Sequence, residues 1–218
     1  MAIEIVNYKQ KVIHTLPPNV RTLKGADFRG GLDLRGAELS AMDLSGANFQ
    51  GADLRDAVFS GSQLRNADFR GADLRGALFD EARLDLTDFR GADCSGGSFV
   101  AAKMNRADLS KGFFMKTDFE NSDCRGSNMS GGNFEGADFA SSNLRDVNFK
   151  NANLKNAKMQ DIAVDGGTNF RGADVAGVNF RENYGMPKNY SMKVYREILD
   201  DAKNADKAKL SDFNRGLR

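Results

Sequence analysis

Apolar residues recur along most of this chain at a spacing of five. Between Leu34 and Val164 every fifth residue is Leu, Phe, Met, Cys or Val, through 27 consecutive centres. Such a period fits neither the roughly 3.6-residue repeat of an α-helix nor the roughly two-residue alternation of a flat strand. It suits a chain that turns a corner every five residues. Two places before each centre the residue is small, as at Ala37, Ala47, Ala52, Ala57 and Ser62. One place before it is usually Asp or Asn, one after is often Arg or Ser, and two after is often Gly. Centre and small residue are therefore expected to point inward, and the other three outward.

A single-residue slip flanks this run on each side. Leu23 and Phe28 precede it, with an extra residue near Gly30 and Gly31. Phe170, Val175 and Phe180 follow it, with an extra residue near Gly166 and Gly167. Glycine at both slips predicts bulges in which the backbone takes positive φ.

Units such as Ala-Asn-Phe-Gln-Gly (47–51) and Ala-Asp-Leu-Arg-Gly (72–76) resemble the pentapeptide repeat family, and the resemblance extends over about residues 21–183. It implies an all-β solenoid, a right-handed quadrilateral β-helix with four units to each 20-residue coil. About eight coils follow, forming a rod of about 35–40 Å at the usual strand spacing. Centres twenty apart should then stack. Phe59, Phe79, Phe99, Phe119 and Phe139 make one column, and Phe49, Phe69 and Phe89 another. Leu44, Leu64 and Leu84 make a third, and Leu34, Leu54 and Leu74 a fourth. Cys94 and Cys124 fall in columns on opposite sides and are expected as buried thiols rather than as a disulfide or metal pair.

The ends depart from the period. Residues 1–20 predict an N-terminal β-hairpin that caps the first coil, with Pro17 and Pro18 separating the two. Residues 21–183 form the β-helix. Residues 184–203 hold a break and then helical spacing, with Tyr195, Ile198, Leu199 and Ala202 on one face over 190–203. That helix is expected to cap the last coil or to pair with a second subunit as a homodimer, through Tyr195, Ile198 and Leu199. Residues 204–218 read as a mobile basic tail.

Charge changes the picture little at this level. The chain has 31 basic and 30 acidic residues. Within 21–183 there are 24 acidic and 21 basic residues, a net charge of −3. Neither figure predicts steering toward nucleic acid or a membrane surface. No apolar run approaches a membrane span, and no signal peptide is evident. With only two Cys, a cytoplasmic location is the expectation.

Candidate chemistry is sparse. The one histidine, His14, stands alone, and no Cys/His cluster has zinc spacing. The Asp residues come one per repeat, as turn formers rather than acid–base pairs. No catalytic residue, cofactor or metal is expected, and the chain reads as non-enzymatic. Asp33/Arg35, Asp53/Arg55 and Asp73/Arg75 should form a ladder, either a solvated network or a basic strip for an acidic partner. Outward positions turn apolar at Val58, Leu78 and Val100 on one face and at Phe113 and Met115 on the next. These residues mark an interaction patch or a drift of the repeat. Two functions remain open: a scaffold for an unknown protein partner, or a DNA mimic that binds a type II topoisomerase such as gyrase and modulates it or protects it from quinolone-type inhibitors. The resemblance to the family implies the second, while the near-neutral charge argues against it.

Overall fold

A computed structural model describes residues 4–7, 9–15, 22–29, 32–180, 199 and 201–208. From Leu23 to Arg29 and from Leu32 to Phe180 the chain winds as a coil that turns every five residues. Parallel bridges join each residue before a centre to its equivalent twenty places on, as in Asp33–Asp53–Asp73–Asp93 and Glu38–Val58–Leu78–Ser98. Four walls result, numbered here from the columns that start at Leu34 (first), Leu39 (second), Leu44 (third) and Phe49 (fourth). Each wall is laced by three backbone bonds per coil, one of them from the N–H two places past a centre, as in Asp56 to Arg75 at 3.0 Å. The centre's N–H donates to the next coil, as in Leu54 to Asp73 at 2.8 Å, and the N–H before the centre donates to the previous coil, as in Asp73 to Ala52 at 3.0 Å. Outward Asp and Asn side chains brace the corner. Their Oδ1 accepts the N–H two residues on, as Asp93 does from Ser95 at 3.0 Å.

The corner explains the recurrent glycine. Two places past the centre the backbone takes positive φ, from 54° at Asp161 to 71° at Gly76, whichever residue stands there, save at Gly166 in the second slip. A residue without Cβ enters that region freely. Leu86 stands there too, at φ 60°.

The core is a tube lined by centres and small residues, nearly all inaccessible. Phe49, Phe69 and Phe89 on the fourth wall stack at 4.8–5.1 Å between ring centroids. Phe59, Phe79 and Phe99 stack on the opposite wall at 4.7 Å. Across the tube the two columns meet edge to face at 5.6–5.8 Å, the geometry the ring quadrupole favours. Farther along, the aromatic wall changes place. The fourth wall reads Phe89, Leu109, Met129, Phe149, while the first reads Cys94, Phe114, Phe134, Leu154. Large rings thus move to the first wall where the fourth gives them up, which holds core volume steady. Gly112 and Gly132 accompany the move: a Cβ at either would lie 2.6 Å from Cε2 of Phe114 or Phe134. The buried hydroxyl of Thr117 donates through Oγ1 to the Cys94 carbonyl at 2.9 Å, whereas Ser95 Oγ is buried without a partner.

At the second slip the backbone departs from expectation. The bridge spacing changes from 20 at Asn143–Ala163 to 21 at Asn148–Asn169, so one residue is inserted. Neither Gly166 nor Gly167 has positive φ. Gly167 is needed instead for close approach, since a Cβ there would sit 2.0 Å from Asp146 Oδ1. Gly30 and Gly31 lie outside the described residues.

Two segments finish the rod. Strands β1 (Glu4–Val6) and β2 (Val12–Thr15) form an antiparallel hairpin. Val6 accepts a bond from Glu38 N–H at 2.8 Å, and Asn7 bridges Ala37 in the first coil. Ile5 is buried, and the His14 ring meets Phe28 at 6.4 Å. The single histidine therefore packs on the end of the core. At the other end Leu199 is buried and residues 201–207 continue the coil. Lys203 bridges Asp174, Lys203 N–H donates to Ala173 at 2.8 Å, and Val175 N–H donates to Lys203 at 3.1 Å. This corrects the expected helix over 190–203 at its end. Ala202 and Lys203 are not helical, because the backbone groups of Asp201 and Lys203 complete the open edge of the last coil. It also corrects the expected tail at its start, since Ala205–Lys207 forms a 3-10 turn and Asn204 Nδ2 donates to Asp174 at 2.9 Å. Tyr195 and Ile198 lie outside the described residues. Among the described residues no helix is long and apolar enough to cross a membrane.

Candidate interaction surface

The outer surface carries what chemistry the molecule offers. On the first wall Arg35, Arg55 and Arg75 each grip the Asp two residues back. Arg55 Nη2 lies 2.6 Å from Asp53 Oδ2, and its Nε lies 3.6 Å from Asp73 in the next coil. A second ladder, which was not anticipated, runs up the fourth wall through Asp68/Arg70 and Asp88/Arg90 at 2.6 Å. The Arg35 guanidinium, bonded to Asp33, pulls that carboxyl down to about 2, and Arg29 does the same for Asp27. At Asp68 burial opposes the shift, yet bonding to Arg70 leaves the pKa lowered. These arginines are occupied, so the ladders are solvated networks rather than a free basic strip.

The other two walls are not neutralised in this way. On the second wall Glu38, Asp80, Glu81, Asp118 and Glu120 make no ion pair among the described residues, and Asp138 is held by Lys158 at 2.7 Å. On the third wall Arg65, Arg83, Lys103, Arg106 and Arg145 are likewise unpaired, and only Arg125 reaches an acid, Asp123, at 3.2 Å. A shallow depression there is lined by bases and acids together, among them Arg65, Arg106, Arg125, Asp85 and Asp146, with Leu86.

The apolar outward residues fall on two adjacent walls. Val58 and Leu78 are bridged neighbours on the second wall, with Val58 half-buried and Leu78 38% exposed. Val100, half-buried, lies on the same wall one coil on, and its N–H donates to Asp80 Oδ1 at 3.1 Å. Phe113 (47% exposed) and Met115 (39%) project from the first wall. Bridges place Phe113 between Asp93 and Asn133, so the two apolar groups are separated by a corner. The periodicity did not single out Leu86, 41% exposed on the third wall, or Val12, 43% exposed on β2. Leu86 was readable, since it stands where the repeat calls for Gly. Both thiols are buried and free. Burial pushes Cys94 well up and Cys124 up to about 12, in the latter case against a contact from Ser122 Oγ. Among the described residues no group of His, Cys, Asp and Glu is placed to hold a metal ion.

The family model described as "Pentapeptide repeats" matches the chain in 8 copies, over residues 33–71, 67–106, 82–121, 98–136 and 122–161. The chain belongs to the pentapeptide repeat family. Pentapeptide repeat proteins form right-handed quadrilateral β-helices, and the four walls here are the sides of one. Among solved structures, a trypsin-treated variant of QnrB1, a plasmid-mediated fluoroquinolone resistance protein, matches with a TM-score of 0.57 and 23% identity, over 83% of this chain and 92% of that one. A second trypsin-treated variant matches with a TM-score of 0.52 and 25% identity, over 76% and 84%. HetL, a pentapeptide repeat protein involved in heterocyst differentiation regulation from the cyanobacterium Nostoc sp. strain PCC 7120, matches with a TM-score of 0.42 and 24% identity, over 75% and 76%. No curated protein matches the chain. Against the pentapeptide repeat pattern, Phe113 and Met115 replace the Asx brace and the polar residue of their unit. Phe113 cannot accept the Met115 N–H, as Asp93 accepts that of Ser95.

Proposed function

We propose that the chain is a non-enzymatic interaction protein, an eight-coil rod that presents apolar side chains on its outer walls to a protein partner. Phe113 and Met115 carry this reading. They forfeit a local hydrogen bond and leave apolar surface in water, which does nothing for folding and suits a buried contact. Val58, Leu78 and Val100 extend the candidate surface around the corner. Leu199, buried at the far end, supports a capping role for the C-terminal segment rather than a dimer contact through it. The test is binding of partners recovered with the intact chain to Phe113→Asn, Met115→Ser. Asn and Ser stand in the same columns at Asn133 and Ser95, so the variant keeps the fold. A loss of about tenfold or more in affinity is expected; unchanged binding would remove the patch from consideration.

A second reading is a modulator of a type II topoisomerase. Near-neutral overall charge speaks against DNA mimicry, but Glu38, Asp80, Glu81, Asp118 and Glu120 stand without ion pairs among the described residues on the second wall, which favours it locally. Fluoroquinolone resistance in a protein of this fold gives the same reading its context. A supercoiling assay with and without a fluoroquinolone decides: inhibition or protection supports it, and no effect at micromolar protein ends it.

A further inference from the structure

The excess of acid in this rod sits on one face. With each unit counted from its small residue to its corner over 32–165, the second wall holds seven acids and one base, Lys158. The first wall holds six acids and five bases, the third five and six, and the fourth three and four. Three walls are therefore within one charge of balance, and the second is not. The same wall carries an apolar strip at its middle. Val58 and Leu78 are neighbours in the column before the centre, and Val100 stands one coil on in the column after it. Acids surround the strip, with Glu38 one coil before Val58, Asp80 beside Leu78 and Glu120 one coil after Val100. Among the described residues none of these three is ion-paired. Asp80 is held in place, since its Oδ1 accepts bonds from Ser98 Oγ and Val100 N–H.

An apolar strip inside a face of one sign is complementary to a segment that carries the opposite sign around an apolar stripe. The spacing selects the form of that segment. Columns two residues apart lie about 6.6 Å from each other, and successive coils about 4.8 Å. Val58 to Val100 is then a line of about 12 Å inclined to the rod axis, with Leu78 about 4 Å along it. On a helix, positions i, i+3 and i+7 share one face, and the second and third lie about 4.5 and 10.5 Å beyond the first. In an extended segment the side chains of one face fall about 6.6 and 13 Å along, which overshoots Leu78. We infer that the second wall docks a basic amphipathic helix of another protein, laid obliquely across the coils, with apolar residues at i, i+3 and i+7 on Val58, Leu78 and Val100. Extending the same line sets Glu38 opposite i−3, Asp80 beside i+4 and Glu120 opposite i+10 or i+11, where the helix carries Lys or Arg. A duplex mimic would be read by charge alone, and the strip would be a gap in it.

This inference rests on the interaction reading for the second wall and is independent of Phe113 and Met115. The probe is a dye-labelled, alanine-based peptide of about 20 residues, long enough to hold a helix in water. It carries leucine at i, i+3 and i+7 and lysine at i−3, i+4 and i+11, and is titrated with the full chain at low salt by fluorescence anisotropy. Saturable binding is expected, weakened about tenfold or more by Leu78→Ser, weakened also by Glu38→Gln with Glu120→Gln, and lost in molar salt. These variants keep the fold, since Ser98 follows Leu78 in the same column and glutamine retains an oxygen to accept the Ser40 N–H. Glutamate in place of the peptide's lysines should abolish binding. A peptide that does not bind, that binds equally with its leucines at i, i+2 and i+4, or that ignores Leu78→Ser overturns the helix site. Equal binding with alanine in place of the peptide's leucines also overturns it and leaves a surface read by charge alone. A loss caused by Phe113→Asn, Met115→Ser but not by Leu78→Ser overturns the placement and moves the helix to the first wall. In every one of these cases the reading carried by Phe113 and Met115 is still judged with the recovered partners.

Discussion

At Gly112 and Gly132 the absent side chain is what admits a phenyl ring. Elsewhere on the first wall Ala stands two places before the centre, at Ala52, Ala72, Ala92 and Ala152, and the centre is leucine or cysteine. On the first wall Phe114 and Phe134 replace those centres, and their rings occupy the space a Cβ would need. Adding that carbon forces the ring off its rotamer or moves the coil. Gly112→Ala should therefore destabilise the protein by about 1–3 kcal/mol, read from the urea midpoint, although both glycines have ordinary φ and alanine is otherwise the preferred residue there. Gly112→Ala with Phe114→Leu should recover part of the loss, because the smaller centre restores the usual unit. A double variant no better than the single would place the strain in the backbone instead.

Along a wall the repeating element is an Asp that braces its corner and an Arg that grips it and leans toward the next coil. Asp33 and Asp27 have folded pKa values of about 2 against an ordinary 3.8, and Asp53, Asp68 and Asp73 are also lowered. A lowered folded pKa means the unfolded chain binds the proton first. The stability these groups add is present above about pH 4 and is lost as pH falls toward 2. Unfolding followed by urea should show a flat stability above that window and a decline within it. The decline should be shallower in Asp33→Asn, Asp53→Asn, Asp73→Asn. An equal slope would mean that solvent screening leaves the ladder without weight. Much of this level was legible in the sequence. The five-residue period gave inward and outward positions, the stacked columns, both buried thiols and the first ladder, because packing in a repeat is local and each unit obeys the same rule. The C-terminal segment was not legible at its end. Ala202 continues a helical spacing, yet the last coil presents unpaired backbone groups that Lys203 completes, and that demand overrides local periodicity. Nor did total charge reveal the acidic second wall, since Glu38, Asp80 and Glu120 cancel against bases elsewhere until the sequence is folded at twenty residues.

For the whole molecule, each coil touches only its neighbours, so the ends decide whether the rod stays soluble. The hairpin covers Phe28 and pairs with Glu38, and Lys203 pairs with the last coil. Removing residues 1–15 should leave the coils folded by circular dichroism but expose an apolar, unpaired edge. Concentration-dependent scattering should then rise. A truncated chain whose scattering did not rise with concentration would show that the first coil closes its own end.

The transfer of rings from the fourth wall to the first also bears on how the chain finds its alignment while folding. A tube of identical coils has no landmarks: one turn can be looped out and the remainder closed up with every centre meeting its like. Between Phe49 and Phe89 such an error would go almost unnoticed by the core. Across Phe114 it would not, because skipping a single turn sets mismatched rings and thioethers over one another and brings Gly112 or Gly132 beneath the wrong centre. The misplaced aromatics serve as a fiducial mark, giving an otherwise uniform spiral one place from which its turns can be counted.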